Sequence, residues 1–561
     1  YYNRVTYANW LSEAGGDPPS NYTVLGSILL TDSSGTEVLV FPSDSTLFVR
    51  VTDADRNADS GTAETVTVTV TSDTETTGET VTLTETGANT GIFMGSISFG
   101  TGAVSSGDGI LQVTAGNGIT GSYTDPADDY GSEATVTDPA NYGITLVYGE
   151  LSENTTWTAA NAYLVSGDVV IPDNVTLTIE PGTKIKFLTT SNESNLGYDN
   201  NRNEIYMKAG SALIAEGTAT DSIYFMSSAE SPERGDWYGI GIKHASGVDI
   251  HMSYVSFSDA RHVLSTSADY DDAVFNGVDG DGLSIRNSSF RNIIEGVFYC
   301  EIKLRTGAQG IIKNNTFYDW SYGSFIEYVF LSGNSFFHLD SNQIGTGSNE
   351  YIMGESIRIE DDSSRAWVTN NTTSHHADLK FQSYYVESVR DYPFVIEGNN
   401  FKGSGSDELV FYGYGATGKY LIKNNVIDSA GVYIQGSKKA LIQGNTIKNS
   451  TSTSIEGIYI YNTSAVVENN TITGHRGNGV YLYTYAGYED VAIDTVRNNI
   501  ITGNNTYGST YYAGILVGGY GNHVIWYNDI YDNTYDNNSG DYYDLKVETS
   551  YLEGDLDARF N

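Results

Sequence analysis

Between Ile312 and Ile530 one short pattern keeps returning: an aliphatic residue, two variable residues, Asn, one variable residue, then Ile or Phe. It occurs at Ile312–Phe317, Leu331–Phe336, Ile396–Phe401, Ile422–Ile427, Ile442–Ile447, Val467–Ile472, Val496–Ile501 and Ile525–Ile530. Ile285–Phe290 and Val368–Thr373 are degenerate copies. Successive copies lie 19 to 37 residues apart, mostly 19 to 29. A constant motif at variable spacing predicts one circuit of a coil per repeat, with insertions confined to particular turns. Each circuit then supplies about three short strands, which pair in parallel with the same strands of the next circuit ~4.8 Å along the axis. The Asn has a physical reason to recur. It tolerates the left-handed backbone of a sharp turn, and stacked amides can bond each other from coil to coil. The aliphatic and Phe positions fill the bore.

Val169–Phe187, Asp236–Ile240 and Ser253–Phe257 read as the first coils of the same structure. With these residues in hand, the ladder resembles the right-handed parallel β-helix repeat superfamily, which includes polysaccharide lyases and hydrolases, epimerases, phage tailspikes and many surface proteins. The resemblance implies a rod of roughly fifteen coils, about 70 Å long at the usual rise, over residues 143–561. It is specific for fold and weak for function, since the same rod carries chemistry in some relatives and none in others.

The N-terminal part reads differently. Strands such as Thr46–Val51 and Glu64–Val70 alternate apolar and polar residues between Asp, Gly and Ser turns, which buries one face and wets the other. About seven strands of this kind fit an immunoglobulin-like β-sandwich over residues 27–142. The expected fold class is therefore all-β, a sandwich followed by a β-helix. Asp53-x-Asp55-x-Asn57-x-Asp59, Thr90-Gly91-Ile92-Phe93 and Tyr123-Thr124-Asp125-Pro126 resemble a sandwich module found repeatedly in large prokaryotic surface proteins. That resemblance implies a spacer or assembly module. Residues 1–26, with Trp10 and Pro18-Pro19, belong to neither unit and read as an extension able to dock on another subunit.

Charge narrows the partners. A net charge of -41 argues against nucleic acid, whose phosphates would be repelled along the whole surface. No apolar stretch approaches the length of a membrane span. Cys300, the single cysteine, lies in the apolar-aromatic run Val297-Phe298-Tyr299 and reads as a buried, inert thiol.

Four groups of residues could carry chemistry. Asp53, Asp55, Asn57, Asp59 and Glu64 occupy positions 1, 3, 5, 7 and 12 of a window, the ligand order of a calcium loop, but position 6 is Ala58 where such loops use Gly, and strands flank it. The window reads either as a calcium site in a sandwich loop, joined by Glu85, Asp125 or Asp128, or as a turn whose Asp side chains cap their own backbone. Asp269, Asp271, Asp272, Asp279 and Asp281 form a second acidic loop, read as a calcium site or a surface insertion. Arg358, Glu360, Asp361, Asp362, Arg365, His375, His376 and Lys380 span about one coil and could set acids beside bases, as elimination or hydrolysis of a glycan requires. The alternative is a salt-bridged loop face. Tyr459, Tyr461, Tyr481, Tyr483, Tyr485, Tyr511 and Tyr512 read as sugar-stacking rings, a subunit interface or a plain outer ladder.

The leading functional expectation is a secreted structural protein of a prokaryotic cell surface, a fibre, sheath or surface-layer subunit that associates with further copies and has calcium-stabilised loops. The alternatives are an extracellular lyase or glycoside hydrolase acting on an acidic polysaccharide, and a non-catalytic glycan-binding adhesin.

Overall fold

The computed structural model describes residues 24–561 except 44, 129–130, 191, 244–246, 267–271, 277–280, 346–350, 375–377, 385–391, 415–417, 488–492, 510, 534–543 and 549–554. The extension expected before residue 27 falls almost wholly outside the described residues, as do Asp269, Asp271, Asp279, His375 and His376. Two compact units emerge, Tyr1–Leu146 with Ala159–Tyr163, and Val147–Thr158 with Leu164–Asn561.

The N-terminal unit is built from β1 (Ser27–Thr31), β2 (Val40–Phe41), β3 (Thr46–Thr52), β4 (Thr65–Ser72), β5 (Glu79–Glu85), β6 (Ile92–Gly100), β7 (Ile110–Gln112), β8 (Gly118–Asp125) and β9 (Ala134–Tyr142). These form one hydrogen-bonded path, β1-β3-β6-β5-β4-β8-β9-β2, with β7 added beside β6. The pairings are antiparallel except β2 with β9 and β6 with β7. The alternation in the sequence explains the burial. Val66, Val68 and Val70 of β4 point inward while the intervening threonines face water, and they join Leu30, Val49, Leu83, Phe93 and Leu111 in one apolar core.

The second sheet holds 43 described strands, which pair in parallel from one coil to the next. Thr176–Ile179 pairs with Ala212–Glu216, which pairs with Gly247–Ser253. Three strand positions recur in every coil: one before the Asn turn (Lys419–Lys423), one after it and one beyond, the latter two merged in Val426–Gln435. This is a parallel β-helix. Its bore is filled by rings stacked coil on coil, Phe290 on Phe317 at 4.8 Å and Phe381 on Phe411 at 4.8 Å among them, each burial contributing about 1.5–3 kcal/mol.

The Asn ladder runs Ser288, Asn315, Asn342, Asn371, Asn399, Asn425, Asn445, Asn470, Asn499, Asn528, Asn561, each side-chain oxygen accepting the backbone N–H of the residue before it in this series. Two differences from the sequence reading have plain causes. The two tasks given to one Asn fall to two neighbours. The residue before each ladder Asn takes the left-handed backbone (Asn314, Ser341, Asn370, Asn424, Asn469, Asn498), while the ladder residue itself is buried and stacked. At Gly398 and Gly444 the left-handed residue lacks a side chain because a Cβ would lie 2.6 Å from the amide oxygen of Asn370 or Asn424. Second, Asn334 is not in the ladder. Leu331–Phe336 crosses a different corner, between Ser324–Leu331 and Phe336–Asp340, and the ladder copy is Leu339–Ile344, carrying Asn342. Any strand, left-handed turn and strand can present the same spaced residues, so the motif alone does not distinguish corners.

Candidate functional site: an outer face of the β-helix

The strands of the third position present a continuous outer face. Strict register aligns Lys303, Phe330, Arg358, Gln382, Tyr412, Gln435, Tyr461 and Tyr483 in one column, one residue per coil. A second column beside it carries Lys380, Val410, Tyr433, Tyr459, Tyr481, Leu516 and Lys546. Alternation along each strand sends Leu409, Phe411, Ile434, Ile460 and Leu482 into the bore and points the column residues to the other side, where Val410 and Leu516 are covered by their neighbours.

The C-terminal half of the face is aromatic. Tyr433 and Tyr459 lie with ring centres 5.0 Å apart, and Tyr459 and Tyr481 are stacked at 4.7 Å. Tyr461 stacks on Tyr483 at 6.0 Å, and Tyr483 meets Tyr485 edge-on at 5.7 Å. Tyr485 and Tyr511 stand 55% and 77% exposed; Lys546 reaches over Tyr511. Burial, followed by neighbouring phenols or carboxylates, pushes the Tyr433, Tyr459 and Tyr481 hydroxyls far above the ordinary range, so they remain proton donors.

Two carboxyls border this platform. Glu408 follows Asp407 on the strand Asn400–Tyr414, and its backbone N–H donates to Asp378 at 3.1 Å. Burial, then the charges of Glu456 and Asp378, push it up to about 7. Glu456 is buried and also pushed up to about 7 by burial, while its Oε2 accepts the Asn478 N–H. The field of Glu408 acts on Tyr433, and that of Glu456 on Tyr459 and Tyr481. Carboxyls poised near neutrality beside a ring platform can exchange protons with a bound hydroxyl or glycosidic oxygen.

The other half of the face carries paired charges. Lys303 and Arg358 flank the Phe330 ring at 5.3 and 5.7 Å. Arg358 pairs with Glu360 and Lys303 with Glu301 at 3.3 Å. Of the central cluster read from sequence, the structure thus brings Arg358, Glu360 and Lys380 to this face. Asp361 instead closes a turn, accepting from the N–H and hydroxyl of both Ser363 and Ser364.

The five residues of the calcium window serve turns. Asp53 caps the short 3-10 helix Ala54–Arg56, accepting from Asp55 N–H at 2.9 Å and from the Tyr123 hydroxyl at 2.6 Å. Asp55 accepts from Val24 N–H, Asn57 donates to Asn89, Asp59 accepts from Gly61 N–H, and Glu64 accepts from Asp59 N–H. Glu85 holds the Thr90–Gly91 turn, Asp125 accepts from Gly26 N–H and Asp128 from Ser132 N–H. Among the described residues no group of three or more His, Cys, Asp or Glu side chains is placed to hold a metal ion. Burial, with the nearby Asp125 charge adding to it, raises the Asp53 carboxyl against the pull of the Tyr123 hydroxyl.

A further carboxyl cluster escaped sequence reading. Glu204 is fully buried, its Oε1 accepts the N–H of Tyr198 and Asp199, and its Oε2 has no hydrogen-bond partner among the described residues. Burial and then the Asp168 and Asp199 charges push it up to about 8. Asp168 takes the N–H groups of Leu196 and Gly197, and Arg261 forks onto Glu295 at 2.7 and 3.1 Å while reaching Asp199 at 3.5 Å.

A missed signal did exist for the tyrosine columns. Gly431-Val-Tyr433-Ile, Gly457-Ile-Tyr459-Ile and Gly479-Val-Tyr481-Leu repeat in the phase of the coil. Glu408 and Glu456 have no such signal, because the coil alone brings them together.

Two family models match the chain. One, described as a pectate-lyase like beta helix domain, covers residues 149–256, and the other, a right handed beta helix region, covers 355–535. The chain belongs to the right-handed parallel β-helix superfamily. Among solved structures it is similar to the periplasmic alginate epimerase AlgG, at 12% identity and a TM-score of 0.32 over 70% of this chain and 78% of that one. Two mutant forms of that epimerase match with TM-scores of 0.30 at the same identity and coverage. No curated protein sequence matches. Among the described residues no helix is long and apolar enough to cross a membrane.

Proposed function

We propose that the outer face from Lys303 to Lys546 binds an extended polysaccharide. The observation that supports this is the register of the tyrosines. Coil after coil presents a phenol at the same position, and because the rings stack on one another the column offers a saccharide a repeating row of apolar ring edges with phenol hydroxyls as donors. Each phenol hydrogen bond to a sugar contributes about 0.5–1.5 kcal/mol. The double variant Tyr459→Ala/Tyr481→Ala is therefore expected to lose at least about tenfold in affinity for a retained polysaccharide in affinity electrophoresis. Wild-type protein that migrates unretarded through every neutral and acidic polysaccharide gel would end this reading. Glu408 and Glu456 are the candidate proton-transfer groups of an enzymatic reading, so the assay should also follow new reducing ends and unsaturated products. Turnover that disappears in Glu408→Gln with retention intact supports an enzyme; retention without products supports an adhesin.

The same face favours a second reading, self-association into a fibre or sheath, because Tyr485 and Tyr511 offer large exposed contact area. Electron microscopy of the native protein with calcium at neutral pH discriminates, and a monodisperse particle counts against assembly. Under either reading the setting is extracellular or on a prokaryotic cell surface, as the acidic composition and lone buried thiol favour. We also propose calcium at the Asp53–Glu64 loop, where a cation would relieve the mutual repulsion of Asp53 and Asp125. Millimolar calcium is expected to raise the melting temperature over that in chelator by a few degrees. Identical melting in the two conditions argues for turns alone.

A further inference from the structure

A groove on a different face of the β-helix has chemistry of its own. It opens over Ile223–Ser227, Val255–Ser258, Ser289–Glu295 and Thr316–Tyr322, the strands that follow the Asn turn, and encloses about 480 Å³. That volume lies within the range of small-ligand sites. Tyr224 and Tyr318 stand among its lining residues, with Arg291 placed by register between Ser258 and Tyr318.

The charges of the groove are unequally satisfied. Asp259 accepts from the Asn292 amide at 2.7 Å and from the Ser258 hydroxyl at 2.8 Å. Asp319 is paired with Arg234, whose Nε also donates to the Asn292 oxygen at 3.3 Å. The left-handed backbone at Asp259, Asn292 and Asp319 stacks these three in one turn column, so their side chains are tied to each other. Arg291 is exposed and makes no ion pair or side-chain hydrogen bond with the described residues. Both neighbouring carboxylates are already engaged, Asp259 with Asn292 and Ser258 and Asp319 with Arg234, so the Arg291 guanidinium stays open to a ligand in the groove.

We propose that this groove is a second saccharide site, which takes a short oligosaccharide bearing a carboxylate. The carboxylate lies against the Arg291 fork, whose planar donors match it in a bidentate pair. Tyr318 and Tyr224 supply ring faces to the sugar, and the Ser256 hydroxyl and the Asn292 amide face its hydroxyls. The site is separate from the tyrosine columns, on a different strand position of the coil.

The test is isothermal titration of the full chain with trigalacturonate and with its uncharged counterpart galactotriose at low ionic strength. Trigalacturonate is expected to bind, and Arg291→Gln to weaken that event at least tenfold, with Tyr318→Ala weakening it as well. The Tyr459→Ala/Tyr481→Ala variant is expected to keep the event, which separates this groove from the face proposed above. Arg291 is exposed and bonds no described side chain, so its substitution leaves the fold intact, checked by an unchanged melting temperature. Unaltered trigalacturonate binding in Arg291→Gln, equal affinity for galactotriose, or no binding by wild type would each overturn the proposal.

Discussion

Asn425→Ala is expected to destabilise the β-helix by about 3–5 kcal/mol, the range of a broken buried polar network. The side chain is 1% exposed. Its oxygen accepts both the backbone N–H and the amide of Asn399 at 2.9 Å, and its own amide donates to Ile396 O and to the Asn445 oxygen at 2.9 Å. Alanine strands groups on two neighbouring coils at once, where water cannot replace the lost partner. The adjacent Asn424 is the control. It holds the left-handed turn at φ 55° but its amide only reaches the exposed Glu397 at 3.3 Å. Asn424→Gly should therefore change stability by less than about 0.5 kcal/mol, whereas Asn424→Val should be costly because a β-branched residue resists that backbone. Urea unfolding followed by far-ultraviolet circular dichroism reads all three. An Asn425→Ala midpoint equal to wild type would show that the ladder contributes no stability.

Glu204→Gln is expected to stabilise the protein, and by an amount that depends on pH. Glu204 titrates near 8 in the fold against an ordinary value of 4.5. Below the ordinary value both folded and unfolded states hold the proton and nothing is lost. Between 4.5 and 8 the unfolded chain releases the proton while the folded one keeps it, so stability falls as pH rises. The accumulated loss approaches roughly 4 kcal/mol at pH 8, at about 1.4 kcal/mol per unit. Glutamine keeps an oxygen for the N–H groups of Tyr198 and Asp199 and carries no proton to lose. The gain in melting temperature over wild type should be small at pH 5, grow to pH 8 and then level off. A gain that is flat from pH 5 to pH 8 would mean that Glu204 is ionised in the fold.

What the residues disclosed and what they hid follow from the range of the interactions involved. The ladder at Ile422–Ile427 or Val496–Ile501 is visible because a coil repeats the same local demand, a left-handed residue followed by a stacked amide, at every turn. The corner that Asn334 occupies makes the first of those demands without the second, and the two look alike until neighbouring coils are in place. The calcium window shows a related ambiguity. Asp53, Asp55 and Asp59 have the spacing of ligands, and the same short side chains at the same spacing serve equally to bond backbone N–H groups within a turn.

The amino-acid sequence by itself determined the strand-and-turn chemistry: alternation in the N-terminal unit, the repeated Asn turn and the apolar bore, all of them contacts between residues close in the chain or one repeat apart. Only the tertiary structure decided which outward residues share a face, that Glu408 and Glu456 border the same row of tyrosines, that Glu204 is shut in with Asp168, and that Arg291 has no ion pair among the described residues. Those outcomes depend on the length of each intervening turn, which sets how far one coil is carried before it pairs with the next, and insertions of irregular length carry no local mark of where they return the chain.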